Sequence, residues 1–129
     1  MSLRMATSPH TVAATVDRIR AALGCRSIAV FADVDHASGA REAGLELADE
    51  QVLIFGDPRV GTLLMQEDPA IGYELPLRLL VWDDAGHTRI GYRPPSELGA
   101  DYKVAGNAEV LERMDGLMDQ LVAEGIGSD

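Results

Sequence analysis

The sequence is nearly devoid of cysteine, since Cys25 is the only one in 129 residues. A single cysteine cannot form an internal disulfide or a cysteine-based zinc cluster. Long hydrophobic runs are also missing: no stretch of about 18 apolar residues is present, so no segment is predicted to span a bilayer. The N-terminus lacks the apolar stretch of a signal peptide. We therefore expect a soluble, cytoplasmic protein.

Basic residues are scarce. The chain has 11 Lys and Arg against 21 Asp and Glu, which gives a net charge of −10. Such a charge repels nucleic-acid backbones and anionic lipid surfaces, so neither is an expected partner. The glycine run and lysine of a phosphate-binding loop are absent, as is the serine elbow of hydrolases. The histidines show no metal-ligand spacing, and no metal or other cofactor is predicted.

Length and composition predict a single domain spanning residues 1–129. Apolar residues make up 47% of the chain and charged residues 25%, which is ordinary for a globular protein. No linker or repeat divides the sequence. The second methionine, Met5, suggests that the residues before it are a cloning addition.

Three helices are predicted from caps and apolar spacing. Ser8-Pro9 should open the first, whose apolar stripe runs from Val12 to Leu23. Asp57-Pro58 should open the second, which must stop before Pro69. Asn107 should cap the third, a strongly amphipathic helix that ends at Gly125.

Four runs read as strands, at residues 27–34, 51–56, 77–82 and 87–92. The last two are joined by a turn-rich loop of hairpin length. The 16 residues from Asp35 to Glu50 are long enough for a crossover between parallel strands, although a hairpin also fits. We expect an α/β fold of the α+β two-layer type, with four to five central strands and two main amphipathic helices on one face.

Several segments, in this order and spacing, resemble one protein family. They are Asp33-Val34-Asp35-His36-Ala37, Ala43-Gly44, Leu53-Ile54-Phe55-Gly56-Asp57-Pro58, Gly61-Thr62-Leu63-Leu64-Met65, Glu74-Leu75-Pro76-Leu77 and Tyr92-Arg93-Pro94-Pro95 with Tyr102. The pattern is similar to the domain-of-unknown-function family 302 and covers roughly Thr11 to Leu121. The family often has asparagine in place of Asp57, and asparagine is an equally good helix cap. The resemblance implies a two-layer α/β fold, often assembled as a homodimer, and implies no established activity.

A first candidate site lies at the end of the first predicted strand. Asp33, Asp35 and His36 bring together carboxylates and an imidazole, the groups used for acid–base catalysis near neutral pH. A structural alternative is that Asp35 caps the next turn and His36 hydrogen-bonds to the backbone.

A second candidate site is the strand-to-helix turn at Phe55, Gly56 and Asp57, with Tyr92 at its border. If the first two strands are parallel, this turn lies beside His36 and the two form a crevice where a ligand could bind. The structural alternative is a helix start capped by Asp57.

One strand predicts a second apolar surface. In 77–82, Leu80 and Trp82 point away from the face that carries Leu77, Leu79 and Val81. A two-layer fold leaves that face without helices, so we expect a homodimer formed through it. The sequence thus favours a homodimeric module that binds a small molecule or a protein, and leaves open a small enzyme that uses His36 with Asp33 or Asp35.

Overall fold

Five antiparallel strands form the sheet of the computed structural model, which describes residues 3–127. Their spatial order is β1-β5-β4-β3-β2. The strands are β1 (Arg4–Ser8), β2 (Ala29–Asp35), β3 (Glu50–Gly56), β4 (Leu77–Asp84) and β5 (His87–Tyr92). The predicted two-layer α+β architecture is confirmed.

Helices cover one face of this sheet. The α-helices are α1 (Val12–Cys25), α2 (His36–Glu42), α3 (Pro58–Glu67), α4 (Leu98–Asp101) and α5 (Ala108–Ile126), and short 3₁₀ turns occupy Pro69–Tyr73, Pro95–Glu97 and Ala105–Asn107. The long helices α1 and α5 pack on each other and on the strands. Their apolar stripes, which include Ile19, Leu23 and Leu121, are fully buried.

The core lies between these helices and the face of the sheet that we call the covered face. Leu53, Leu79, Val81 and Ile90 have no exposed surface there. The intervening residues of the same strands point to the opposite side, which we call the open face. The alternation follows from the two-residue period of a strand.

The parallel arrangement of the first two predicted strands is wrong. β2 pairs with β3 in antiparallel fashion, with Ala29 opposite Gly56 and Asp35 opposite Gln51. The residues between them form α2 and a loop without carrying the chain to the other end of the sheet. The alternative of a long hairpin was correct, because connection length alone does not distinguish the two.

Two features near the N-terminus also differ from prediction. Arg4–Ser8 forms an edge strand on β5, although no strand was predicted there. The first helix starts at Val12 and not at Pro9. The Ser8 hydroxyl hydrogen-bonds with Thr15 Oγ1 at 2.8 Å and accepts from the His10 N–H at 3.1 Å, so Ser8 holds a turn that precedes the helix. Thr11 caps the helix instead, accepting from the Ala14 N–H at 3.1 Å.

Candidate functional site

The Asp35-His36 segment is a helix start. Asp35 is the N-cap of α2, and its carboxylate accepts a hydrogen bond from the Ser38 N–H at 2.9 Å. This is the structural alternative that the sequence left open for Asp35. His36 is the first residue of the helix and is exposed.

Asp33 is bound by side chains of α1 and β3. Its carboxylate accepts from Arg20 Nη1 at 2.6 Å and from Gln51 Nε2 at 2.8 Å. Within residues 3–127, neither Asp33 nor Asp35 hydrogen-bonds to the His36 ring. The predicted acid–base group is therefore not assembled, since its carboxylates hold other partners.

The predicted crevice between His36 and the Phe55-Gly56-Asp57 turn does not exist. Because β2 and β3 are antiparallel, His36 follows the end of β2, whereas Gly56 pairs with its beginning, Ala29. The intervening strand length is roughly 20 Å at the usual rise per residue. The two turns lie at opposite ends of the sheet.

The turn at Asp57 caps α3 as its sequence suggested. The carboxylate accepts from the Arg59 N–H at 2.9 Å and forms an ion pair with Arg59 Nη2 at 2.9 Å. These hydrogen bonds from Arg59 hold the pKa of Asp57 below its usual value. Phe55 has no exposed surface and belongs to the core.

Tyr92 connects three elements. Its hydroxyl donates to Asp119 of α5 at 2.6 Å, and the Arg4 guanidinium of β1 lies 5.8 Å from its ring centroid. Burial and the bond to Asp119 raise the pKa of the Tyr92 hydroxyl. A hydroxyl already bonded to a carboxylate serves mainly to join the edge strand to the last helix.

An apolar cavity of about 300 Å³ lies at the Gly56 end of the sheet. It is bounded by the start of α3, the segment before β4 and the middle of α5. Gly56 and Asp57 are at its wall, and most of the lining is aliphatic, sulfur-containing or aromatic: Phe31, Val60, Met65, Leu75, Met114 and Leu117. Of the residues predicted to bind a ligand, this cavity includes two, and Phe55 and Tyr92 lie outside its lining.

A row of apolar residues crosses the open face. The strand registers align Val34, Val52, Leu80, Gly91 and Met5 side by side on the five strands. We call this set the central row. Val34 is 39% exposed and Met5 62%. Val34 and Leu80 also border a depression of about 860 Å³ that reaches His36 and Tyr92.

Trp82 lies on the open face beside the central row, as the alternation of β4 predicted. A Cβ atom at Gly91 would come within 3.0 Å of Trp82 Cζ3 and 3.2 Å of Leu3 Cδ1. Only glycine lets these side chains approach β5 so closely. Trp82 and Leu3 therefore cover part of β5, whereas Val34 of β2 is 39% exposed.

The sequence reasoning missed most of the cavity lining. Met65, Met114 and Leu117 fall within predicted helices and Phe31 within a predicted strand, and nothing in those local patterns indicates a cavity. One available signal was Gly61, a glycine inside a predicted helix, where it costs stability relative to alanine.

A family model for the domain of unknown function DUF302 matches residues 5–121. The chain belongs to the DUF302 family. A crystal structure of an uncharacterized conserved DUF302 protein from Bacillus stearothermophilus has the same fold, with a TM-score of 0.85 over 96% of this chain and 98% of that one, at 19% identity.

Curated relatives carry a different kind of name. The chain is 38% identical over 104 residues to proteins named fluoride-specific ion channel FluC 1 from Brucella suis biovar 1 (strain 1330) and Brucella abortus biovar 1 (strain 9-941). The match covers 80% of this chain but only 41% and 38% of those proteins. Among residues 3–127, no helix is both long and apolar enough to cross a membrane.

Proposed function

We propose that this DUF302 domain is a homodimeric binding module whose two copies associate through the open face of the sheet. The observation that carries the proposal is the central row, an apolar surface that spans all five strands and whose end residues, Val34 and Met5, are 39% and 62% exposed. Burying such a surface against a second copy removes apolar area from water, the main favourable term in association.

A second copy is the occupant that the charges favour. On one side of the central row, Glu50 of β3 is paired with Trp82 of β4, and on the other side Ile54 of β3 is paired with Arg78 of β4. A two-fold axis along the central row exchanges these two sides. Arg78 of each copy then faces Trp82 and lies near Glu50 of the other.

These contacts are of kinds that stabilise an interface. A guanidinium over a tryptophan ring is a favourable cation–π contact, and the nearby carboxylate adds an opposite charge. The pairing is self-complementary, as a two-fold interface requires. Two sheets packed with nearly aligned strands would place the central rows of both copies together.

The curated relatives are consistent with a modular role. Their matched part is about two fifths of their length, so the same domain occurs there within a longer chain. The channel activity in their names belongs to the whole proteins. For this domain, the relatives support only a role beside another unit of a longer chain.

Light scattering coupled to size exclusion tests the dimer. Wild-type protein should have twice the 13.8 kDa mass of one chain. Trp82→Glu should yield monomers, because it places a carboxylate at the proposed interface. Val34→Lys is the second variant, since Val34 is already 39% exposed and its replacement leaves the core intact. A wild-type monomer at high concentration, or folded dimers of both variants, would contradict the proposal.

A further inference from the structure

The apolar cavity at the Gly56 end of the sheet lies apart from the central row, and no residue of that row lines it. Its volume is about 300 Å³, and Phe31, one of its lining residues, is 53% exposed. The cavity therefore reaches the surface beside Phe31. By comparison, an apolar cavity of about 150 Å³ holds one benzene molecule.

The cavity is not filled by the helix that passes it. Gly61 of α3 is at its wall, and a Cβ there would lie 3.6 Å from Leu75 Cδ1 and 3.8 Å from Met65 Cε. Those are ordinary van der Waals distances, so packing does not demand glycine. Glycine inside a helix is less stable than alanine, and its presence here keeps the space open.

The lining defines the chemistry of an occupant. Water is a poor one, because an ordered water needs two to four polar partners and this wall is almost entirely apolar. The Asp57 carboxylate at the wall is neutralised by Arg59, which bonds both of its oxygens. Met65 and Met114 supply flexible side chains that adapt to different shapes.

We infer that this cavity binds a small, uncharged and mainly apolar molecule, such as an aromatic ring or a short acyl chain, that enters beside Phe31. The inference rests on the binding role proposed above and does not depend on the dimer. Binding buries the exposed part of the Phe31 ring and fills the space in front of Gly61.

Methionine-methyl NMR with toluene as the probe tests this site. Saturable shifts are expected at Met65 and Met114, which line the cavity, and not at Met5 in the central row. Gly61→Leu should abolish the saturable shifts by filling the cavity. Gly116→Leu is the matched control, because Gly116 is an exposed glycine of α5 with nothing within 4 Å of its Cβ position.

Failure of the ligand site and failure of the dimer give different results. If wild-type Met65 and Met114 do not shift, shift without saturating, or shift no more than Met5, the site is contradicted. Equal saturable binding by folded Gly61→Leu and wild type also contradicts it. Gly61→Ala is the second variant, for use if the leucine variant fails to fold. Its added methyl group meets only ordinary van der Waals contacts, so it should fold, and it should weaken toluene binding. The mass of the same sample tests the dimer independently.

Discussion

The two faces of the sheet carry similar apolar side chains with very different surroundings. Leu79 on the covered face has no exposed surface, whereas Val34 and Met5 on the open face are 39% and 62% exposed. Folding of one chain accounts for the first set, since helices α1 and α5 remove it from water. It does not account for the second set, which association with a second copy would remove from water.

Alanine substitutions of two neighbouring leucines of β4, one on each face, should give the largest difference in effect between the two faces. Leu79→Ala should lower the free energy of unfolding by about 2–5 kcal/mol, because it leaves a cavity in the core. Leu80→Ala should cost clearly less folding stability and act mainly on the dimer. Urea unfolding at low protein concentration measures the free energy of unfolding, and sedimentation measures the dissociation constant of the dimer. If both variants lost the same folding stability, the different roles assigned to the two faces would be contradicted.

Charge reversal on the open face should give the next largest effect. Glu50→Arg and Arg78→Glu should each weaken dimerisation by about tenfold, or about 1.4 kcal/mol. The double variant should recover part of the affinity, because it restores opposite charges across the proposed two-fold axis but not the contact of Arg78 with Trp82. Dissociation constants from sedimentation would measure this. Additive weakening in the double variant would rule out the proposed orientation of the two copies.

The Asp57 cap belongs to neither face and should give the smallest effect. Hydrogen bonds from Arg59 lower its folded-state pKa, so the ionised form favours folding above the unfolded value of about 3.8. That contribution is lost as the pH falls through the folded pKa. Asp57→Asn should therefore flatten the acid side of the stability profile and leave the dimer unchanged. A changed dissociation constant would tie this turn to the interface.

Much of the covered layer could be predicted from local sequence. The alternation of apolar residues in β4 and the apolar stripe of α5 predict which side chains are buried, because the direction of each side chain follows from the period of its own strand or helix. Asp57 and Pro58 marked the start of α3 for the same reason. The open-face position of Trp82 also followed from alternation.

The sites needed information that local patterns lack. The Asp33-Val34-Asp35-His36 segment looked like a catalytic group, but its carboxylates are bound by Arg20 and Gln51 and by the Ser38 N–H. The direction of β3 relative to β2 decides whether His36 and Gly56 can meet, and the connecting segment fits either direction. The cavity gathers residues from several distant segments, so only the assembled fold brings them together.

Fluorescence quenching of Trp82 is the most direct test of the open face as an interface. It is the only tryptophan in the chain, so its signal needs no labelling. We expect acrylamide to quench it weakly at high protein concentration and more strongly on dilution or in Arg78→Glu, as the dimer separates. Quenching that is strong at the highest concentration and unchanged by either treatment would show that Trp82 stays exposed, contrary to the account.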